Sequence, residues 1–208
     1  MFETMPNDFS SSGETDRLGS GNQPGRRHLS ERQAEAVDRL VVAAGEEAAH
    51  RPYGEISVRS IAKRAGVAPA TAYTYFSSKD HLLSEVLWRR MQSSPALVDL
   101  NRTLSERVAD TVRTMGFGSI DNPAVVAACT TALLGVGPDV KHVRDRIGRE
   151  IALRLRAALG PDANPAVLRL LQITYTGAIL SAGMGHLDFE ALPDLLAEAA
   201  DLLSRGVA

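Results

Sequence analysis

The 208-residue sequence predicts an all-α protein. Three observations carry that prediction. From about residue 30 to the C-terminus, apolar residues recur at three- and four-residue spacing, the period of a buried helix face. No segment shows the strict alternation of a half-buried strand, and no internal repeat is visible. Apolar residues make up 44% of the chain but aromatic ones only 5%, so a core can form and must be mostly aliphatic side chains and alanine.

Residues 1–29 are expected to be a disordered tail, rich in Gly, Ser, Asn, Asp and Pro and without a period. Ser30 and Gln33 have capping-box spacing, and Val37, Leu40, Val41 and Ala44 follow at helical intervals. This first helix should end near His50, before Pro52 and Gly54. Ser57 is a good N-cap for a second helix that buries Ile61, Ala62 and Ala65 and stops at Gly66, a residue that accepts the left-handed conformation. Pro69 suits the first turn of a third helix running to about Tyr75. Ser78 can cap a fourth that carries Leu82, Leu83, Val86 and Leu87. Further helices are expected at 103–115, 123–134, 140–158 and 165–184, the last apolar nearly all round. A final helix carries Leu192, Leu195, Leu196, Ala199, Leu202 and Leu203, with either Asp188 as its cap or Pro193 in its first turn.

Composition excludes several classes of function. Lys plus Arg (23) nearly balances Asp plus Glu (25), which argues against a histone-like coating protein. A single cysteine, Cys129, rules out an internal disulfide framework and a multi-cysteine zinc site; in its apolar helix it reads as a small buried residue, with a nucleophile or redox sensor as the alternative. No run of about 18 apolar residues suggests a membrane span, and Met1–Leu18 lacks the pattern of a secretory signal. A soluble, reduced, cytoplasmic protein is expected. The five histidines are never two at helical ligand spacing, and no nucleophile-elbow, P-loop or dinucleotide motif occurs. Neither catalysis, metal nor cofactor is therefore expected.

Charge is unevenly spread. Residues 1–50 carry five Arg against nine acids, whereas residues 56–92 carry Arg59, Lys63, Arg64, Lys79, Arg89 and Arg90 against Asp80 and Glu85. The local excess reads either as a face that meets an anion or as a solvated helix face. The two short helices joined at Ala65-Gly66-Val67-Ala68 favour the anion, because they have the form of a helix-turn-helix. Gly66 permits the tight turn, Ile61 and Val67 lock the pair, and the next helix is left to enter a DNA major groove, which admits one helix.

The fuller string is more specific. Ser57-Val58-Arg59-Ser60-Ile61-Ala62, then Gly66-Val67, then Thr71-Ala72-Tyr73-Thr74-Tyr75-Phe76-Ser77-Ser78-Lys79-Asp80-His81-Leu82-Leu83, resembles the DNA-binding domain of the tetracycline-repressor (TetR) family. The resemblance covers about residues 30–83; beyond them only length and helicity match. It implies a regulator with an N-terminal three-helix DNA-binding domain, a helical ligand-binding and dimerisation domain, a homodimer, and no catalysis. It divides the chain into the tail (1–29), the DNA-binding domain (30–77) and the C-terminal domain (78–208), whose residues 78–92 form a connecting helix.

Carried over by position, Tyr73, Tyr75 and Lys79 match phosphate contacts, Ser57 a backbone-contacting cap, Arg59 a base-reading position, and Thr71 and Thr74 groove-facing positions. An arginine suits the guanine O6/N7 pair. For Tyr73 the alternative is a core aromatic with its hydroxyl outward. Two departures stand out: Ala68 replaces a capping serine, and Pro69 and Ala70 carry no polar atoms to read bases. Direct readout should then rest on Arg59 and Thr74, with DNA shape supplying the rest. Arg26 and Arg27 of the tail can enter a neighbouring minor groove or simply keep the tail soluble.

In the C-terminal domain an effector pocket is expected between the helices. Its lining candidates are Val112, Met115, Phe117, Leu133, Val143, Ile147, Gln172 and Tyr175, with Thr130, His142, Gln172 or Tyr175 as polar anchors. Ordinary core packing is the alternative for each. Leu168, Leu171, Leu195, Ala199 and Leu202 are candidates for a four-helix dimer interface formed by the last two helices and their copies. The whole reads as a ligand-responsive transcriptional repressor: a homodimer on a palindromic double-stranded DNA operator, released by a small, mainly apolar effector. The alternatives are a DNA-binding regulator or interaction module without small-molecule control, and a helical enzyme that merely contains a similar helix pair.

Overall fold

The computed structural model describes residues 31–94, 97–115 and 122–206. The expected tail, with Arg26, Arg27 and the capping Ser30, lies outside them, as does Phe117. All regular structure among the described residues is helical.

Local chemistry accounts for the element borders. Helix α1 (Glu31–His50) buries Leu40, Val41, Ala44 and Ala48 and stops two residues before Pro52. A single 3₁₀ turn, Tyr53–Glu55, leads to α2 (Val58–Ala65). Ser57 caps α2 by accepting from the Ser60 N–H at 3.0 Å, while Ser60 Oγ accepts from the Ser57 N–H at 3.0 Å. Gly66 closes α2 at φ +64°, ψ 33°, a conformation that costs a side-chain-bearing residue about 1–2 kcal/mol. Helix α3 (Pro69–Tyr75) starts on its proline, and Ala68 makes no side-chain cap bond. Ser78 caps α4 (Lys79–Ser93) through the His81 N–H at 3.0 Å.

The C-terminal elements follow the same rules. Thr103 and Glu106 form a capping box at α5 (Leu104–Thr114). Asn122 caps α6 (Pro123–Leu133), Pro138 starts α7 (Pro138–Leu159), and Asn164 caps α8 (Pro165–Gly183). Of the two starts left open for the last helix, the structure takes Pro193. Asp188 precedes a separate 3₁₀ turn, Phe189–Ala191, and α9 (Leu192–Arg205) carries the proline in its first turn.

Helix α1 packs on α2, α4 and α6; α4 packs on α6 and α7; α9 runs along α5 and touches α8. The buried side chains, from Ala36 to Ala200, form one continuous core. Inside it Arg154 of α7 is only 4% exposed. Its guanidinium donates to the Met91 carbonyl (2.6 Å), the Thr114 carbonyl (3.2 Å) and Glu150 Oε1 (2.8 Å). One cation thus serves carbonyls in the last turns of α4 and α5, where a positive charge is favoured.

Candidate nucleic-acid interface

Helices α2 and α3 meet at the Gly66 turn. The Val67 N–H donates to the Ala62 carbonyl at 3.0 Å, and Ile61, Val67 and Ala72 are buried between the helices and α1. Phe76 is buried beneath the end of α3, its ring edge-on to His81 at 5.1 Å. The pair is also tied to α1 by charge: Arg64 Nε lies 2.7 Å from Oε1 of the buried Glu47, and Arg51 lies 3.5 Å from Oε2. Burial pushes the Glu47 carboxyl up, but hydrogen bonds from Arg64 and Ser60 and the charges of Arg51 and Arg64 outweigh it. The group therefore titrates below its ordinary value.

This packing leaves one face of the motif in solvent. Ser57, Arg59, Thr71, Tyr73 and Thr74 are all exposed, and Tyr73 is 50% exposed, which removes the core-aromatic alternative for it. Arg59 has no hydrogen bond or ion pair among the described residues. The Thr74 hydroxyl donates back to the Ala70 carbonyl at 3.1 Å, so toward a base it can act only as an acceptor. Tyr75 is half-buried against the core.

Lys79 is held in place. Its ammonium donates to the Tyr53 carbonyl at 2.7 Å and lies 4.0 Å from the centre of the Tyr53 ring, while the Tyr53 hydroxyl donates to Asp80 Oδ1. Burial, and next the Asp80 hydrogen bond, push the Tyr53 phenol well above its ordinary pKa. An ammonium has three protons, so two remain for an incoming phosphate. Tyr53 is the residue sequence reasoning missed. Its contacts reach 26 and 27 residues along the chain, and only its place between Pro52 and Gly54 hinted at a fixed turn.

The C-terminal expectations are partly corrected. An apolar cavity of about 160 Å³ lies between α6, α7 and α8, and Thr130, Leu133, Ile147 and Tyr175 line it. Leu134, Arg144, Gly148, Ile151, Thr176, Ile179 and Leu180 complete the wall and were not singled out beforehand. Val112, Met115 and Val143 are core residues instead, sealed among packed helices. His142 faces solvent, and Gln172, half-buried, is not part of the lining. On α8 the interface candidates point the wrong way. Leu171 is fully buried in its own chain and Leu168 packs against the same core, while Leu170, Ile173 and Met184 are exposed. On α9, Leu195 and Leu202 are exposed and Ala199 is half-buried.

Among the described residues no cluster of three His, Cys, Asp or Glu could hold a metal ion, and no single helix is long and apolar enough to cross a membrane. Burial pushes the Cys129 thiol up to about 12, which leaves it unreactive at neutral pH.

The comparisons with known proteins agree with this geometry. The profile of the bacterial regulatory proteins, tetR family, matches residues 40–86, which span the turn and the exposed face. An uncharacterised HTH-type transcriptional regulator of Mycobacterium tuberculosis is 39% identical over 177 residues, covering 84% of this chain and 83% of its own. The HTH-type transcriptional repressor KstR of Mycolicibacterium smegmatis is 30% identical over 124 residues, covering 58% of this chain and 61% of its own. The crystal structure of a TetR transcriptional regulator from Rhodococcus sp. RHA1 shares the fold, with a TM-score of 0.71 at 24% identity over 86% of this chain and all of that one. With the helix-turn-helix face, the all-helical fold and a relative matched along most of both chains, this protein belongs to the TetR family of bacterial transcriptional regulators, which bind DNA and are not enzymes.

Proposed function

We propose that the protein is a ligand-responsive repressor that binds a palindromic operator as a homodimer and is released by a small, mainly apolar effector. Residues 30–77 form the DNA-binding unit and residues 78–208 the effector-binding and dimerisation unit, with α4 joining them. The observation that carries the reading is the corner between α6 and α7, which touches both the cavity and the base of the DNA unit. On the cavity side, Arg144 lines the wall and donates to the Leu133 (2.7 Å) and Gly135 (3.1 Å) carbonyls. On the other side, Ser77 donates to Asp139 at 2.6 Å. A Cβ on Gly135 would sit 3.0 Å from both Asp80 Oδ2 and the Ala132 carbonyl, so a side chain there would push on Asp80. An occupant that moves Leu133, Leu134 or Arg144 therefore moves the corner on which α3 ends and α4 begins.

A ligand shifts such a balance only by binding one arrangement better than the other. Repression is favoured over activation by the similarity to KstR, itself named a repressor. The homodimer is supported by the apolar stripe of Leu170 and Ile173 on α8 and Met184 just after it, beside Leu195 and Leu202 on α9, which is left in solvent in a single chain. Selection from a random double-stranded DNA library tests the reading. Enrichment of a two-fold site with half-sites about one turn (~34 Å) or a small multiple apart is expected. Equal recovery of all sequences contradicts it. A metabolite that raises the melting temperature and releases the selected DNA completes the case; a ligand-indifferent DNA complex favours a regulator without small-molecule control.

A further inference from the structure

The cavity between α6, α7 and α8 carries information about its occupant. Its walls are mostly aliphatic, built from Leu133, Leu134, Ile147, Ile151, Ile179 and Leu180. Its volume, about 160 Å³, is small beside the roughly 300–1,000 Å³ of sites for drug-sized ligands. It is close to the ~150 Å³ that suffices for benzene in an apolar protein cavity.

Three hydroxyls interrupt the aliphatic wall, and that of Thr176 already donates to the Gln172 carbonyl at 2.9 Å. Thr130 Oγ1 already donates to the Val126 carbonyl at 2.9 Å within α6, so it offers only an acceptor. Tyr175 is different. It is 2% exposed, lines the cavity, and its hydroxyl has no hydrogen-bond partner among the described residues. With its side chain buried and its hydroxyl unpaired by protein, Tyr175 has a proton to donate to a molecule in the cavity. Burial also holds this phenol well above its ordinary pKa, against a small opposing effect of the Arg154 charge, so at neutral pH it is a protonated donor.

The geometry points to an occupant of defined class: a single ring or short-chain molecule of about six to ten non-hydrogen atoms, bearing one uncharged acceptor such as a carbonyl oxygen that takes the Tyr175 hydroxyl proton. This inference rests on the reading of the cavity as the effector site and names what that site selects. Apolar walls provide affinity without preference, and Tyr175 supplies the preference. The wall holds no acidic side chain to neutralise a cationic ligand, and its one charged residue, Arg144, is exposed to solvent with its guanidinium already donating to the Leu133 and Gly135 carbonyls.

Isothermal titration of the full-length protein with acetophenone and with ethylbenzene, which is close in size but lacks the acceptor oxygen, tests the inference. A net hydrogen bond of about 1 kcal/mol predicts that acetophenone binds roughly five- to tenfold more tightly. Tyr175→Phe removes one oxygen and should erase that difference while leaving the ethylbenzene affinity unchanged. Gly148→Leu, placed where the wall opens to solvent, should weaken both probes. 2-Acetylphenanthrene, with three fused rings, should not bind. Equal affinities for the two small probes, a preference that survives Tyr175→Phe, no binding of either, or tighter binding of the three-ring ketone would each overturn the assignment. DNA release is a separate readout: Tyr175-dependent binding of acetophenone that leaves the DNA complex intact upholds the cavity's preference and removes the effector reading.

Discussion

Arg59 projects from the first turn of α2 without a partner, whereas Lys79 is braced by the Tyr53 carbonyl and ring. That contrast predicts unequal losses. Arg59→Ala should cost about 1–3 kcal/mol on the selected DNA and relax preference at one base pair, because a guanidinium reads guanine through two bonds. Lys79→Ala should weaken binding to all sequences alike and lower the salt slope by about one phosphate's worth. Anisotropy titrations on specific and random duplexes at several salt concentrations separate the two, and equal losses for Arg59→Ala on both duplexes would end its role as a reader. His81, packed on Phe76 at the start of α4, gives a pH-dependent prediction. Burial holds its pKa below the ordinary value, against the charges of Asp139 and Glu85 and with those of His142 and Arg146. The neutral imidazole is the one the fold favours. As pH falls below about 6.5 the unfolded chain takes up the proton first, so stability declines with acidification. Melting curves from pH 7.5 to 5.5 should show that decline, and His81→Gln should flatten it. At this scale the caps Ser57 and Ser78 and the turn at Gly66 were legible because each acts within a few residues of itself. The Tyr53–Lys79–Asp80 brace was not, because tertiary packing creates it.

At the scale of elements, strong local signals set the borders of α2, α3 and α4, and the helices formed where those signals lay. Which side of a helix faces the core was a different matter. Helix α8 is apolar nearly all round, so periodicity cannot separate a core stripe from an exposed one. Leu168 and Leu171 turned inward, with Val167, Tyr175 and Ile179, and Leu170 and Ile173 turned out. The same ambiguity mixed Val112 and Val143, which are core, with Leu133 and Ile147, which line the cavity. Helix α7 offers an element-scale test. Gly148 lies within a 22-residue helix, and a Cβ built there meets nothing within 4 Å. Gly148→Ala should therefore stabilise the protein by about 0.5–1 kcal/mol, read as a higher melting temperature. Gly66→Ala should do the opposite by about 1–2 kcal/mol, since φ +64° strains any residue with a Cβ. An unchanged melting temperature in Gly66→Ala would contradict the account of that turn.

For the whole molecule, a near-neutral chain carries a locally basic motif, and one motif alone makes few contacts. Tight, selective binding is therefore expected only from two copies held in register, which is where the outward stripe of α8 and α9 matters. Ile173 is 63% exposed and Met184 65% in the single chain. A charge introduced in that stripe costs little in a monomer and much between two packed copies. Ile173→Glu should leave the melting of the isolated chain nearly unchanged while producing monomers. The most direct test is the mass of the complex between the full-length protein and its selected duplex, measured by sedimentation for the natural sequence and for Ile173→Glu. A homodimeric reader gives an even number of chains per duplex, at least two, for the natural sequence, and at least a hundredfold weaker binding by the variant, as about 2.7 kcal/mol of linkage between the two half-sites is lost. One chain per duplex, or a monomeric Ile173→Glu that binds as tightly as the natural sequence, would contradict it.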